Sequence, residues 1–141
     1  MQYDPETVRP MRDELVRIGA EELSTPSEVD RALADSEGTT LLVINSICGC
    51  AAANARPAVA IATGHSVQPD RIVTVFAGQD VDATERAREH VRGFRPSSPS
   101  IALFSNGEHV FMLERHQIEG RDAFEIADEL KAAYDRFCKP D

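Results

Sequence analysis

Two of the three cysteines in this chain stand one residue apart, as Cys48-Gly49-Cys50. They follow a run of strand-forming residues, Leu41-Leu42-Val43-Ile44, and precede the helix-favouring Ala51-Ala52-Ala53. A thiol at the start of a helix meets the positive end of the peptide dipoles, which favours thiolate over thiol. Cys48 lies nearest that end and is the expected nucleophile, attacking a disulfide sulfur to give a mixed disulfide. Cys50, or a small thiol, would then resolve it. Side chains two apart on a helix point in nearly opposite directions, so a Cys48–Cys50 disulfide needs non-helical backbone at Gly49, which glycine adopts freely. Such a ring is expected to be easily reduced, which predicts an oxidising, isomerase-like or monothiol-leaning poise.

Other readings of the pair stand beside this one. Free cysteine is among the most buried residue types, so the two could be small core residues. Two thiolates with Cys138 or His116 could hold a tetrahedral zinc, giving a metal-binding or redox-sensing module without turnover, although no second Cys pair completes a zinc pattern. A fold adaptor with vestigial cysteines is a third reading. Cys138 is expected to be remote. The last helix starts near Asp122, and sixteen residues at ~1.5 Å each carry Cys138 about 24 Å away. It reads as a tail thiol, incidental or available to a second molecule. His116 is directed toward the thiols and could steady a thiolate or an anionic substrate, whereas His65, His90 and His109 read as surface positions. Arg56 and Arg115 are candidate positive charges near Cys48.

The surrounding elements follow from spacing and caps. Asp4 before Pro5 opens a first helix with Val8, Met11, Leu15 and Ile18 on one face, stopped by Gly19. Leu23 marks a short connector or edge strand. Thr25-Pro26-Ser27-Glu28 is a capping box, and Val29, Ala32 and Leu33 give the helix behind it a buried face. Thr39 to Asn45 is apolar on both faces, as a central strand covered by helices on both sides would be. The Ala-rich helix runs to about Thr63, with a kink predicted at Pro57 and Gly64 as its cap. Arg71 to Ala77 is a second strand, followed by a helix from Asp82 to about Arg92. Ser100 to Ser105 is a third strand. Asn106-Gly107 is a hairpin turn leading to a return strand from His109 to Glu114. Asp122 and Glu125 frame a last helix with Ile126, Leu130, Ala133, Tyr134 and Phe137 on its apolar stripe.

From the short strand onward, this order resembles the thioredoxin fold, with the first helix as an addition. The expected architecture is therefore α/β: a thioredoxin-like three-layer sandwich, its mixed sheet of four to five strands flanked by helices. Residues 1–141 form one expected domain. A right-handed crossover makes the first two long strands parallel, so Ala77, Gly78, Gln79 and Asp80 emerge at the cysteine end. An antiparallel third strand brings its entry loop, Arg95-Pro96-Ser97-Ser98-Pro99, to the same place, and the return strand exits there through Arg115, His116 and Gln117. Thioredoxin-like proteins carry a cis proline before the corresponding strand, and Ser98-Pro99 stands at that position.

The chain has 141 residues and a net charge of −9, with 24 acids against 15 bases and no basic run, which argues against nucleic acid as a partner. No apolar run approaches the ~18–20 residues needed to cross a bilayer. The N-terminus lacks the basic start and apolar stretch of a signal peptide, so a cytoplasmic protein is expected, where three cysteines do not make a disulfide framework.

The stretch Asn45-Ser46-Ile47-Cys48-Gly49-Cys50-Ala51-Ala52, with Ala55-Arg56-Pro57 behind it, resembles the bacilliredoxin family. The likeness continues through Leu23-Ser24-Thr25-Pro26, Val73-Thr74-Val75-Phe76-Ala77-Gly78-Gln79-Asp80, Pro96-Ser97-Ser98-Pro99-Ser100, Arg115-His116 and Ile118-Glu119-Gly120. The resemblance implies thiol–disulfide exchange in the cytoplasm, with Cys48 as attacker and Cys50 as partner. Asn45, Gly49, Arg56, Ser98, Pro99 and His116 would support substrate binding. It also implies removal of bacillithiol, or another low-molecular-weight thiol, from S-thiolated proteins, with weak disulfide isomerase activity and no bound cofactor.

Overall fold

The computed structural model describes residues 2–91 and 93–138. Its elements are α1 (Pro5–Val16), β1 (Glu21–Glu22), α2 (Pro26–Leu33), β2 (Thr39–Asn45), a π-helical turn (Ala51–Ala55), α3 (Arg56–Ala62), β3 (Arg71–Phe76), α4 (Val81–His90), β4 (Ser100–Ser105), β5 (Glu108–Leu113), α5 (Arg115–Ile118) and α6 (Ala123–Phe137). The five strands run in the order β1-β3-β2-β4-β5. β1 and β2 lie parallel to β3, while β4 is antiparallel to both β2 and β5.

Burial explains the layering. All seven residues of β2 are buried, and its side chains alternate between two cores. Leu41 and Val43 join Ile101 and Leu103 under α3 and α6, with Leu15 of α1 at the margin. Leu42 and Ile44 join Val73, Val75, Ala102 and Phe104 under α2 and α4. Ala55, Ala58 and Ala62 let α3 approach the sheet closely, as their lack of side-chain bulk predicts. The result is a three-layer α/β sandwich of the thioredoxin type.

The capping signals act where expected. Asp4 accepts the Glu6 amide at 2.9 Å, and Thr25 and Glu28 complete the reciprocal box that starts α2. Asn106 and Gly107 both adopt positive φ, 50° and 81°, as a two-residue hairpin requires. A Cβ on Gly107 would lie 2.6 Å from the Ala34 carbonyl, so the close approach of α2 fixes that glycine as well.

Three local expectations need correction. The edge strand is Glu21–Glu22, one residue before Leu23, whose side chain instead enters the core. The kink predicted at Pro57 is taken up as the π-helical turn: the Arg56 amide bonds the Ala51 carbonyl, five residues back. That added residue places Pro57 in the first turn of α3, where its missing donor leaves no bond unmade. The return strand ends at Leu113 because Glu114 leaves the sheet to cap an unforeseen short helix, α5, pairing reciprocally with Gln117. The helix end predicted at Arg92 falls outside the described residues; the described part of α4 ends at His90. No helix among the described residues is long and apolar enough to cross a membrane.

Candidate active site

The thiols sit just beyond the C-terminal end of β2, and local bonds define the path to them. Asn45, the last strand residue, accepts the Ser46 amide through Oδ1 at 2.8 Å. The Ser46 hydroxyl in turn accepts the Cys48 amide at 3.1 Å. The helix then begins, and the Cys48 carbonyl accepts from the amides of both Ala51 and Ala52. Three successive turns of backbone direction are thus each fixed by a polar side chain or a helix-initiating bond, which a strand-to-helix junction needs. Cys48 and Cys50 are both free thiols and both partly buried.

Arg56 holds this corner from below. Its side chain is almost wholly buried, and Nη1 donates to Asn45 Oδ1 and to the Ser46 carbonyl, each at 2.9 Å, while Nε pairs with Glu14 of α1. The sequence suggested Arg56 as a charge beside Cys48; its guanidinium is instead committed to the end of β2. The additional first helix braces the same end. Besides Glu14, its Met11 carbonyl accepts from Asn45 Nδ2, and Arg12 pairs with Asp80 in the loop after β3.

The loop before β4 carries the other half of the site. Ser98-Pro99 is a cis peptide, and Pro99 is buried. Arg115, the first residue of α5, donates from Nη1 to the Ser98 carbonyl at 3.3 Å and from its amide to Ser97 Oγ at 3.4 Å. The loop and α5 are thereby joined, and the Arg115 guanidinium faces the cysteine pair. One turn on, Glu119 accepts from Cys50 Sγ at 3.8 Å and lies 3.6 Å from Arg115.

These surroundings separate the two thiols. Burial disfavours the Cys48 thiolate, but the Ser46 hydroxyl, the amides of Ala51 and Cys50, and the charge of Arg115 outweigh it, so the Cys48 pKa lies below the ordinary thiol value. Burial, the neighbouring Cys48 thiolate and Glu119 push Cys50 the other way, with Arg115 offsetting part of the rise. Cys48 is therefore the more readily ionised of the two thiols.

A charge effect of this kind is open to test. Replacing Arg115 by Gln is expected to move the alkylation midpoint of Cys48 to higher pH, because thiolate loses a stabilising cation while thiol loses nothing. The iodoacetamide rate at pH 7 should fall by roughly three- to ten-fold, in proportion to the thiolate fraction. Arg115→Lys should retain most of the rate. An unchanged midpoint in Arg115→Gln would remove Arg115 from the electrostatics of the site.

Other residues lie elsewhere than the sequence suggested. The side chain of His116 is 72 % exposed and approaches Glu114 at 3.9 Å, turned to solvent rather than to the thiols. His65 and His90 are bound to Asp135 and Asp30, and His109 is half-buried between Phe94 and Phe104. Cys138 is no accessible tail thiol. It is 4 % exposed in the main core beside Thr39, the first residue of β2 and so at the opposite end of the sheet from Cys48. Burial raises its pKa, which further mutes its reactivity. The tetrahedral set with Cys138 or His116 is accordingly not assembled, and among the described residues no group of three His, Cys, Asp or Glu side chains could hold a metal ion.

Ser46 and Glu119 carry contacts to the pair that residue type alone did not flag. Their signals were local: a serine two residues before a helix-starting cysteine, and a glutamate one helical turn after Arg115.

A sequence-family profile described as Disulphide isomerase matches residues 3–138. A bacilliredoxin of Salinibacter ruber is 56% identical, the match covering 98% of this chain and 82% of the relative. The chain belongs to the bacilliredoxin family. Bacilliredoxins of Halalkalibacterium halodurans and Staphylococcus aureus are each 48% identical over 94% of this chain, which spans 91% and 90% of their lengths. Among solved structures, the thioredoxin of Malassezia sympodialis superposes with a TM-score of 0.58 at 15% identity, covering 84% of this chain and 90% of that one. A mutant thioredoxin of Halobacterium salinarum gives 0.57 at 22% identity, with 86% and 93% covered. These distant matches establish the thioredoxin fold. The bacilliredoxin relationship supports thiol–disulfide oxidoreductase chemistry on proteins that carry thiols or disulfides.

Proposed function

We propose that this bacilliredoxin family member removes a small thiol, bacillithiol or a close chemical equivalent, from S-thiolated proteins in the cytoplasm. Cys48 thiolate attacks the sulfur of the small thiol, the protein thiolate leaves, and the small thiol stays on Cys48 as a mixed disulfide. Cys50, or a second small thiol, then attacks Cys48 Sγ and releases it. The electrons come from thiols, those of the cysteine pair when Cys50 resolves the adduct and that of the second small thiol when it does, so the exchange calls on no bound cofactor. The observation that carries this reading is the free, partly buried Cys48 at a helix start, its amide bonded to Ser46 Oγ and its carbonyl to the Ala51 and Ala52 amides, with Arg115 tied to the cis Ser98-Pro99 loop beside it.

Pro99 and Gly49 fit the proposal. A proline offers no amide donor, so the edge of the loop beside it is free to receive an extended substrate segment. In the free-thiol form, Gly49 has no positive φ, and a Cβ there would meet nothing within 4 Å. The need for glycine therefore belongs to the disulfide form, where the backbone must leave the helix. Weak disulfide isomerisation is part of the same proposal: a thiolate whose partner is slow to close the ring can pass a protein disulfide along.

The test is direct transfer. The Cys50→Ser protein, reduced and mixed with a bacillithiolated protein, should gain one bacillithiol mass, mapped by peptide analysis to Cys48, as the substrate thiol appears in equal amount. In the source cells, the same variant should capture S-thiolated proteins. Transfer to Cys138, or no transfer from any S-thiolated protein, would refute the proposal.

A further inference from the structure

Glu119 is the one carboxylate bonded to either thiol of the pair among the described hydrogen bonds, and it bonds the resolving one. Its Oε2 lies 3.8 Å from Cys50 Sγ and 3.6 Å from Arg115 Nε. It sits at the C-terminal cap of α5, and its own amide bonds the Arg115 carbonyl at 2.8 Å, which fixes the backbone that carries it. The neighbouring charges are otherwise occupied: His116 approaches Glu114, and Arg121 is paired with Glu129. What faces the Glu119 carboxylate is therefore Arg115 on its own turn and the Cys50 thiol across from it.

Such a pairing would ordinarily be costly for thiol chemistry. A carboxylate beside Cys50 raises the energy of its thiolate, and the resolving step needs that thiolate as nucleophile. The arrangement makes chemical sense if the carboxylate removes the proton during the attack. Resting on the assignment of Cys50 as resolving residue, we propose that Glu119 is a catalytic general base for resolution and afterwards the acid that protonates the departing small thiol.

The step balances. Glu119 carboxylate takes the proton from Cys50 S–H as Cys50 Sγ bonds to Cys48 Sγ. The bond between Cys48 Sγ and the small thiol breaks, and the small thiol leaves as a thiolate. The proton then passes from the Glu119 carboxyl to that thiolate. Cys50 is oxidised from thiol to disulfide sulfur, Cys48 remains a disulfide sulfur with a new partner, and the small-thiol half of the mixed disulfide is reduced. Arg115, within reach of Glu119 and of both sulfurs, holds the carboxylate near Cys50 between turnovers.

Proton removal and simple repulsion predict opposite signs, which makes the inference sharp. Were Glu119 only a repelling charge, Glu119→Gln would ease ionisation of Cys50 and speed resolution. As a general base its loss should slow resolution at neutral pH by about ten-fold or more. Stopped-flow mixing of the reduced protein with 5,5′-dithiobis(2-nitrobenzoate) separates the steps. A first release of nitrothiobenzoate reports attack by Cys48, and a second reports attack by Cys50 on the Cys48 adduct.

In Glu119→Gln the first phase should be as fast as in the wild type or faster. The second should slow and should recover toward alkaline pH, where Cys50 ionises unaided; Glu119→Asp should restore part of the neutral rate. An equal or faster second phase in Glu119→Gln would overturn the inference, as would equal slowing of both phases. A wild-type reaction in which the Cys48 adduct persists and no second nitrothiobenzoate is released by Cys50 would instead remove Cys50 as the resolving residue, and the role of Glu119 with it.

Discussion

Replacing Cys48 by serine is expected to abolish release of a small thiol from an S-thiolated protein, lowering kcat/KM by about 10³-fold or more, or ~4 kcal/mol of transition-state stabilisation. The size of the loss follows from chemistry and from position. Thiolate is the nucleophile in disulfide exchange, and a serine hydroxyl neither ionises near neutrality nor forms a stable bond to sulfur. The polar contacts that hold the Cys48 anion, from Ser46, the helix-start amides and Arg115, have nothing to stabilise once the sulfur is gone. Cys50 does not substitute for it. Its pKa is raised by burial, by Cys48 and by Glu119, and although the first variant removes one of those causes, the other two remain. Cys138 is buried at the far end of β2 and stays out of reach. Cys50→Ser should behave differently, retaining the first transfer and accumulating the mixed disulfide on Cys48. The measurement is the initial rate with a bacillithiolated protein, read by thiol release and intact mass. Comparable rates for wild type and Cys48→Ser would place the reaction on another residue.

The cysteine pair and its place at the end of β2 are legible in the sequence, and its surroundings only partly so. Cys-Gly-Cys at a strand-to-helix junction names both the chemistry and the end of the sheet where it happens. The apolar run of β2, buried on both faces, the capping box of α2 and the Asn106-Gly107 turn each express a short-range rule, and each forms as read. The cis bond at Ser98-Pro99 came from likeness to other thioredoxin-like chains rather than from local chemistry. The side chains around the thiols obey no short-range rule. His116 and Arg115 are adjacent in sequence and both exit β5 at the active end, yet the first turn of α5 sends Arg115 to the sulfurs and His116 to solvent. That division depends on a four-residue helix capped by Glu114 and Gln117, a weak signal because Glu is not among the favoured N-cap residues. Cys138 was misplaced for a different reason: a thiol late in the chain defaults to the surface, and only packing beside Thr39 reveals that it is inside; the burial of Arg56, read as a charge near Cys48, likewise shows only in its bonds to Asn45 and Ser46.

Arg56 therefore carries the second large prediction, one of stability with a consequence for chemistry. Arg56→Met keeps most of the aliphatic stem but removes three donors. Asn45 Oδ1 is left with the Ser46 amide alone, the buried Ser46 carbonyl loses its guanidinium partner, and Glu14 loses its cation. Glu14 is 44 % exposed and rehydrates at little cost, so the loss is dominated by the two interior acceptors rather than by a stranded charge. The Ser46 carbonyl, left unsatisfied, costs ~1–3 kcal/mol, and losing the guanidinium bond to Asn45 Oδ1, which keeps the Ser46 amide, costs about 1 kcal/mol more, so a total of about 2–4 kcal/mol is expected in urea unfolding at pH 7. Arg56→Lys should fall between the two, since a single ammonium cannot serve three acceptors that a planar guanidinium spans. The effect should also reach the thiol. Ser46 is held by its amide to Asn45 and by its carbonyl to Arg56, and its hydroxyl is what accepts the Cys48 amide. Freed of Arg56, that serine no longer fixes the corner, so folded Arg56→Met protein should alkylate at Cys48 more slowly at neutral pH. A loss of less than ~0.5 kcal/mol, within the range of ordinary surface substitutions, would show that Arg56 does not anchor the end of β2.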